Sequence, residues 1–162
     1  HDNNLYIESC ASKISTTQQR IGKPDKLLFS FHGIPQSYIC EDEPYQTQCL
    51  VTASLIAKKL NLQESQYEVA FQSRFGKAEW IKPYLSSRLQ ELPKEGIHNI
   101  HVFCPGFSSD CLETIDEIGR ESKEEFFEHG GKSFEFIPCL NSEESFINAL
   151  MDIQKKADIK IL

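Results

Sequence analysis

Long apolar runs are missing from this 162-residue chain. None approaches the roughly 20 residues needed to span a bilayer, and the opening residues lack the charged, apolar and small-residue order of a secretory signal. A basic surplus is missing too. Seventeen Lys and Arg stand against 24 Asp and Glu, a formal net charge of −7, and no basic stripe is present to neutralise phosphates. That excludes a nucleic-acid surface and a basic membrane-binding helix. The six cysteines, Cys10, Cys40, Cys49, Cys104, Cys111 and Cys139, are scattered through a chain too large to need disulfide staples. They read as reduced thiols of a soluble, cytoplasmic protein. No C-x-x-C spacing occurs, so a structural zinc or redox site is not expected. Neither GxGxxG nor GxxxxGK[ST] appears, so the usual nucleotide-phosphate cradles are absent, and without a GxSxG elbow a serine hydrolase is a weak reading. His1 stands where an initiator Met would be. The chain is therefore expected to be a piece of a longer protein.

What is present alternates between two periods. A polar helical pattern from Leu5 to Gln19 is broken by Gly22-Lys23-Pro24-Asp25, and the short apolar run Leu27 to Phe31 then reads as a buried strand. Helical composition follows from Tyr45 to Leu60, a strand from Gln66 to Gln72, and a helix from Trp80 to Leu92 that Pro83 breaks or opens. A third strand covers Asn99 to Phe103. An acidic helix is predicted from Asp110 to His129, stopped by Gly130-Gly131. Ser133 to Ile137 gives a fourth strand, and Ser142 to about Lys156 a last helix. This order implies a single α/β domain: a doubly wound, four-stranded parallel sheet with helices on both faces. The segments after the strands then collect at one edge, where such sheets bind ligands.

The chemistry-bearing residues sit at that edge. Along a regular helix Asp110, Glu113 and Glu117 fall within a wedge of about 60°. Asp110-x-x-Glu113 also reads as a variant capping box, and acidic first turns oppose the helix dipole, so a solvated, well-capped helix is the plain alternative. Against it, Glu113 and Glu117 stand at i and i+4, where like charges cost roughly 0.2 to 0.5 kcal/mol. His32 ends the first strand beside a glycine and can act as proton acceptor or metal ligand. Gln72, Ser73 and Arg74 offer an amide, a hydroxyl and a guanidinium suited to an anion. Trp80 can stack on a flat ligand or fill core space. His98, His101 and His129 read as structural.

Four segments together carry a resemblance: Ser30-Phe31-His32-Gly33-Ile34-Pro35, Phe71-Gln72-Ser73-Arg74-Phe75-Gly76, Glu79-Trp80-Ile81-Lys82-Pro83-Tyr84, and Pro105-Gly106-Phe107-Ser108-Ser109-Asp110-Cys111-Leu112-Glu113-Thr114. In this order they resemble the ferrochelatases, most closely bacterial ones, over nearly the whole chain, including the Ile137-Pro138-Cys139-Leu140-Asn141 close. The resemblance implies a chelatase-like fold and insertion of Fe²⁺ into protoporphyrin IX to form haem. It implies two similar α/β halves with the porphyrin between them, this chain being the C-terminal half and the N-terminal half its partner. His32 then corresponds to the active-site histidine and Glu113 to the carboxylate across the cleft, both meeting the metal. Asp110 and Glu117 correspond to an acidic path, and Gln72, Ser73, Arg74 and Trp80 to the substrate pocket wall. Two departures stand out. Cys111 occupies a position that is histidine in many relatives, and no cysteine follows Cys139, so no iron–sulfur cluster is expected. Cobalt- or coproporphyrin-type chelatases of the same fold, or a non-catalytic porphyrin or metal carrier, are the alternatives, and peripheral membrane contact is left open.

Overall fold

The computed structural model describes residues 1–40 and 42–159. Its centre is β1 (Lys26–His32), in which five consecutive residues are buried. A strand covered on both faces has no solvated side to make polar, so it reads as an apolar run interrupted only by Ser30, whose hydroxyl donates to Gln72 Oε1. Alternate residues serve opposite layers. Leu27, Phe29 and Phe31 pack with α1 (Asn4–Ile21), α2 (Tyr45–Lys59) and α6 (Glu144–Ile159). Leu28 joins Ile100 and Val102 of β3 (Asn99–Phe103) beneath α3 (Leu85–Glu91) and α5 (Lys123–Glu128).

The strand order is β2-β1-β3-β4, with β2 at Tyr67–Gln72 and β4 at Ser133–Ile137. Every pairing is parallel. The chain steps outward from β1 to β2, then crosses back over β1 to β3 and on to β4. The order therefore reverses between β1 and β3, and the crevice outside their carboxyl ends is the switch point of the sheet. The expected doubly wound sheet of four parallel strands is what forms. Among the described residues no helix is long and apolar enough to cross a membrane.

Two helices differ from expectation. The segment from Trp80 to Tyr84 is not helical: Trp80 bridges Pro35, Tyr84 bridges Phe71, and α3 starts only at Leu85. Its backbone is committed elsewhere, Ile81 N–H donating to the Ile34 carbonyl at 3.0 Å and Phe71 N–H to the Pro83 carbonyl at 2.8 Å. Pro83 itself lacks an N–H for a helix interior.

The acidic run departs further. It begins at Cys111 as N-cap, with α4 at Leu112–Ile115, and widens into a π-helix over Glu117–Ser122 before α5 resumes. Arg120 and Glu121 N–H both donate to the Asp116 carbonyl. The helical run still stops before Gly130-Gly131, where a Cβ on Gly131 would lie 2.2 Å from the Phe126 ring.

Candidate active site at the switch point

His32 is the last residue of β1, in register with Gln72 of β2. Its backbone is gripped from both sides. The Tyr45 hydroxyl donates to the His32 carbonyl at 2.7 Å, and the Gly33 N–H donates to the Gln72 carbonyl at 2.8 Å. The ring Nδ1 lies 2.6 Å from the Gly33 carbonyl. A carbonyl only accepts, so Nδ1 carries a proton, and in the neutral ring Nε2 keeps its lone pair. The imidazole stands between Trp80 and Phe107, with ring centroids 6.2 and 6.4 Å away. Gly33 allows this arrangement because a Cβ there would meet the Gln72 carbonyl oxygen and the Trp80 ring at 3.0 Å.

The acidic wedge does not survive as one face. Asp110 lies before the N-cap, so it is not on the helix at all. Its carboxylate accepts from Cys139 N–H at 3.0 Å, Asn141 Nδ2 at 2.8 Å and Thr114 Oγ1 at 3.3 Å. It ties the segment after β3 to the segment after β4. Burial opposes its ionisation, but those donors outweigh burial and hold the carboxyl below the usual range. The capping box expected at Asp110 and Glu113 is made one residue on, by Cys111 and Thr114.

Glu117 turns to β2. Its carboxylate accepts from Ser73 N–H and Ser73 Oγ, each at 2.6 Å. Ser73 therefore answers the charge of Glu117, and the repulsion read from the i, i+4 spacing needs no cation between the two glutamates. Glu113 alone remains exposed. Its carboxyl is held below the usual range, first by its own backbone N–H, then by the Cys111 thiol, and a proton on the His32 ring would add to the effect.

Gln72 is 3% exposed and faces no solvent. Its Oε1 accepts from Ser30 Oγ at 2.7 Å, and its Nε2 donates to the Glu113 carbonyl at 2.8 Å. It is a brace between β1, β2 and the acidic run. Ser73 is engaged with Glu117, whereas Arg74 is exposed with its guanidinium 4.7 Å over the Tyr84 ring. A cavity of about 260 Å³ opens beside this loop, lined by Gln72, Ser73, Arg74, Tyr84, Glu117 and Glu121 among others. Trp80 is half-buried, and its Nε1 is buried with no hydrogen-bond partner.

His32, Glu113 and Trp80 thus come together at one edge, Gln72 and Ser73 brace it, and Asp110 braces its far side. Sequence reasoning missed Tyr45 and Asn141. Asn141 adopts a φ of 51°, a left-handed conformation that asparagine tolerates. Tyr45 had no readable signal. Among the described residues no group of three or more His, Cys, Asp and Glu side chains is arranged to hold a metal ion.

The family model described as ferrochelatase matches residues 1–158. The ferrochelatase of Janthinobacterium sp. (strain Marseille) is 47% identical over 153 residues, covering 94% of this chain and 42% of that protein. That of Pseudoalteromonas atlantica is 44% identical over 156 residues, covering 96% of this chain and 43% of that protein. The chain thus spans less than half the length of the curated relatives it matches. Among solved structures, a CbiX protein of Marinobacter aquaeolei VT8 superposes with a TM-score of 0.55 at 13% identity, covering 85% of this chain and 99% of that one. At that identity the likeness concerns the fold. With the family model matched along almost its whole length, the chain belongs to the ferrochelatase family.

Proposed function

We propose that this chain is the C-terminal half of a two-half chelatase that inserts Fe²⁺ into protoporphyrin IX, and that it carries the metal-handling and proton-accepting groups. One observation carries the reading: the lone pair of His32 Nε2 and the ionised, exposed carboxylate of Glu113 share the switch-point crevice. Metallation must remove two pyrrole N–H protons and strip water from Fe²⁺. Nε2 accepts a proton, and Glu113 offers negative charge to the arriving cation. Imidazole and carboxylate both bind Fe²⁺. Two such donors hold it weakly enough to surrender it to the four porphyrin nitrogens.

The remaining residues take supporting roles. Glu117 and Asp110, engaged with Ser73 and with Cys139 and Asn141, shape the acidic run around Glu113. Gln72 and Ser73 act through it. Arg74 supplies an exposed cation for a porphyrin carboxylate, and Trp80 walls the crevice beside His32. The N-terminal half is the partner, supported by the length of the relatives and by an apolar groove of about 290 Å³. That groove lies between α1, α2 and α6 and is lined in part by Phe31, Phe146, Leu150 and Ile153.

The experiment joins this chain to the N-terminal half of a relative and follows the porphyrin absorption change with Fe²⁺ under reducing conditions. His32→Ala and Glu113→Ala each slow metallation about 100-fold or more, the weight of a positioned acid–base group. Unchanged rates in both variants would overturn the assignment.

A further inference from the structure

Tyr45 opens α2 and packs with the core on the face of the sheet opposite the acidic run. Its phenol nevertheless reaches through to the site, donating to the His32 carbonyl at 2.7 Å. The Glu43 carboxylate accepts from Tyr45 N–H at 2.9 Å and fixes the start of the helix that presents the phenol. Burial raises the Tyr45 hydroxyl well above its ordinary pKa, so it remains an O–H donor.

The peptide joining His32 to Gly33 is therefore held at both of its polar atoms, by Tyr45 at the carbonyl and by Gln72 at the N–H. Glycine has the widest backbone freedom of any residue, so without that grip the orientation of the next carbonyl is poorly fixed. That next carbonyl, of Gly33, is the acceptor 2.6 Å from His32 Nδ1. The choice of ring nitrogen that carries the proton is set by the hydrogen bond made at the other.

We infer that Tyr45 is a positioning residue: by holding the His32–Gly33 peptide it keeps the Gly33 carbonyl on Nδ1–H and leaves Nε2 unprotonated toward the crevice. The functional weight of this rests on the proposed role of Nε2, whereas the tautomer does not. Tyr6 supplies a natural comparison. Its hydroxyl, from α1, lines the same groove and donates to the carbonyl of Pro105 beyond β3, with no contact to the His32 peptide.

The test labels the histidines with ¹⁵N and reads ring tautomers by long-range ¹H–¹⁵N correlation, His32→Gln identifying the signals. Wild-type His32 is in the Nδ1–H form. In Tyr45→Phe the Nε2–H form rises about fivefold, the equilibrium weight of one neutral hydrogen bond, while Tyr6→Phe leaves His32 unchanged. Glu43→Ala, which frees the Tyr45 backbone and keeps the phenol, moves the same signals less. In the protein joined to its other half, Tyr45→Phe lowers kcat about fivefold with the porphyrin KM within about twofold. An Nε2–H wild type, a Tyr45→Phe spectrum identical to it, or an equal shift in Tyr6→Phe would each overturn the inference. Absence of metallation in the joined wild type would overturn the proposed reaction and leave the tautomer result standing.

Discussion

Ser73 and Glu117 are joined by two hydrogen bonds of 2.6 Å, one from the Ser73 backbone and one from its hydroxyl. They lock the loop after β2 to the first residue of the π-helix. Ser73 meets Glu117 from a left-handed backbone conformation, with φ at 64°. Bonds to a charged group contribute about 1.5 to 3 kcal/mol when well buried, and this pair is half exposed. Ser73→Ala is therefore expected to lower stability by about 1 to 2 kcal/mol in urea denaturation. Ser73→Gly loses the same hydroxyl but relaxes the backbone, so its loss is smaller. Equal losses would show that the backbone conformation carries no strain.

Asp110→Ala removes one acceptor from three donors and is expected to destabilise the chain by about 2 to 3 kcal/mol. The pH dependence has a definite sign. Because the folded carboxyl lies below its ordinary value, its contribution is complete above about pH 4 and disappears as pH falls through the lowered folded value. Urea midpoints between pH 5 and pH 2.5 should fall less steeply for Asp110→Asn than for the wild type.

His101 is buried on β3 with Nδ1 unpaired, and desolvation lowers its pKa from 6.5. The unfolded chain then binds a proton at a pH where the folded chain does not. Stability is complete above about pH 6.5, declines below it, and levels once the folded histidine is also charged. His101→Leu removes an unsatisfied polar atom and is expected to match the wild type at pH 8 within about 1 kcal/mol. It should also flatten the decline between pH 6.5 and 5.

Gly33→Ala places a Cβ 3.0 Å from a backbone oxygen that cannot move freely and from the Trp80 ring. A cost of about 1 to 3 kcal/mol is expected. Trp80 is the single tryptophan, so its emission spectrum reports the displacement directly. An unshifted spectrum with full stability would mean the ring yields at no cost.

The sheet was legible because strands covered on both faces leave apolar runs such as Leu27 to Phe31, and because punctuation by Gly and Pro separated them from helices. The order β2-β1-β3-β4 was less so, since local patterns do not encode which strand is crossed. His32 drew attention by its setting at a strand end, whereas only the resemblance marked Glu113 off from Asp110 and Glu117. The wedge failed because it assumed 100° per residue from Asp110 onward, whereas the helix starts after Cys111 and then widens over Glu117–Ser122. Trp80 to Tyr84 was drawn into a helix by composition, although its hydrogen bonds go to Ile34 and Phe71. The roles of Gln72 and Tyr45 depend on partners 13 to 45 positions away, of which no local pattern gives notice.

The side-chain amide of Gln72 meets Ser30 on one strand, the Cys104 thiol at the end of another, and the carbonyl of Glu113. Three elements joined through one buried amide have little freedom to drift separately. The backbone of the acidic run is therefore tied to the ends of the strands, while the exposed Glu113 carboxylate keeps its own rotameric freedom. The gap between imidazole and carboxylate can then widen or narrow through the Glu113 side chain without any shift of the wall behind it.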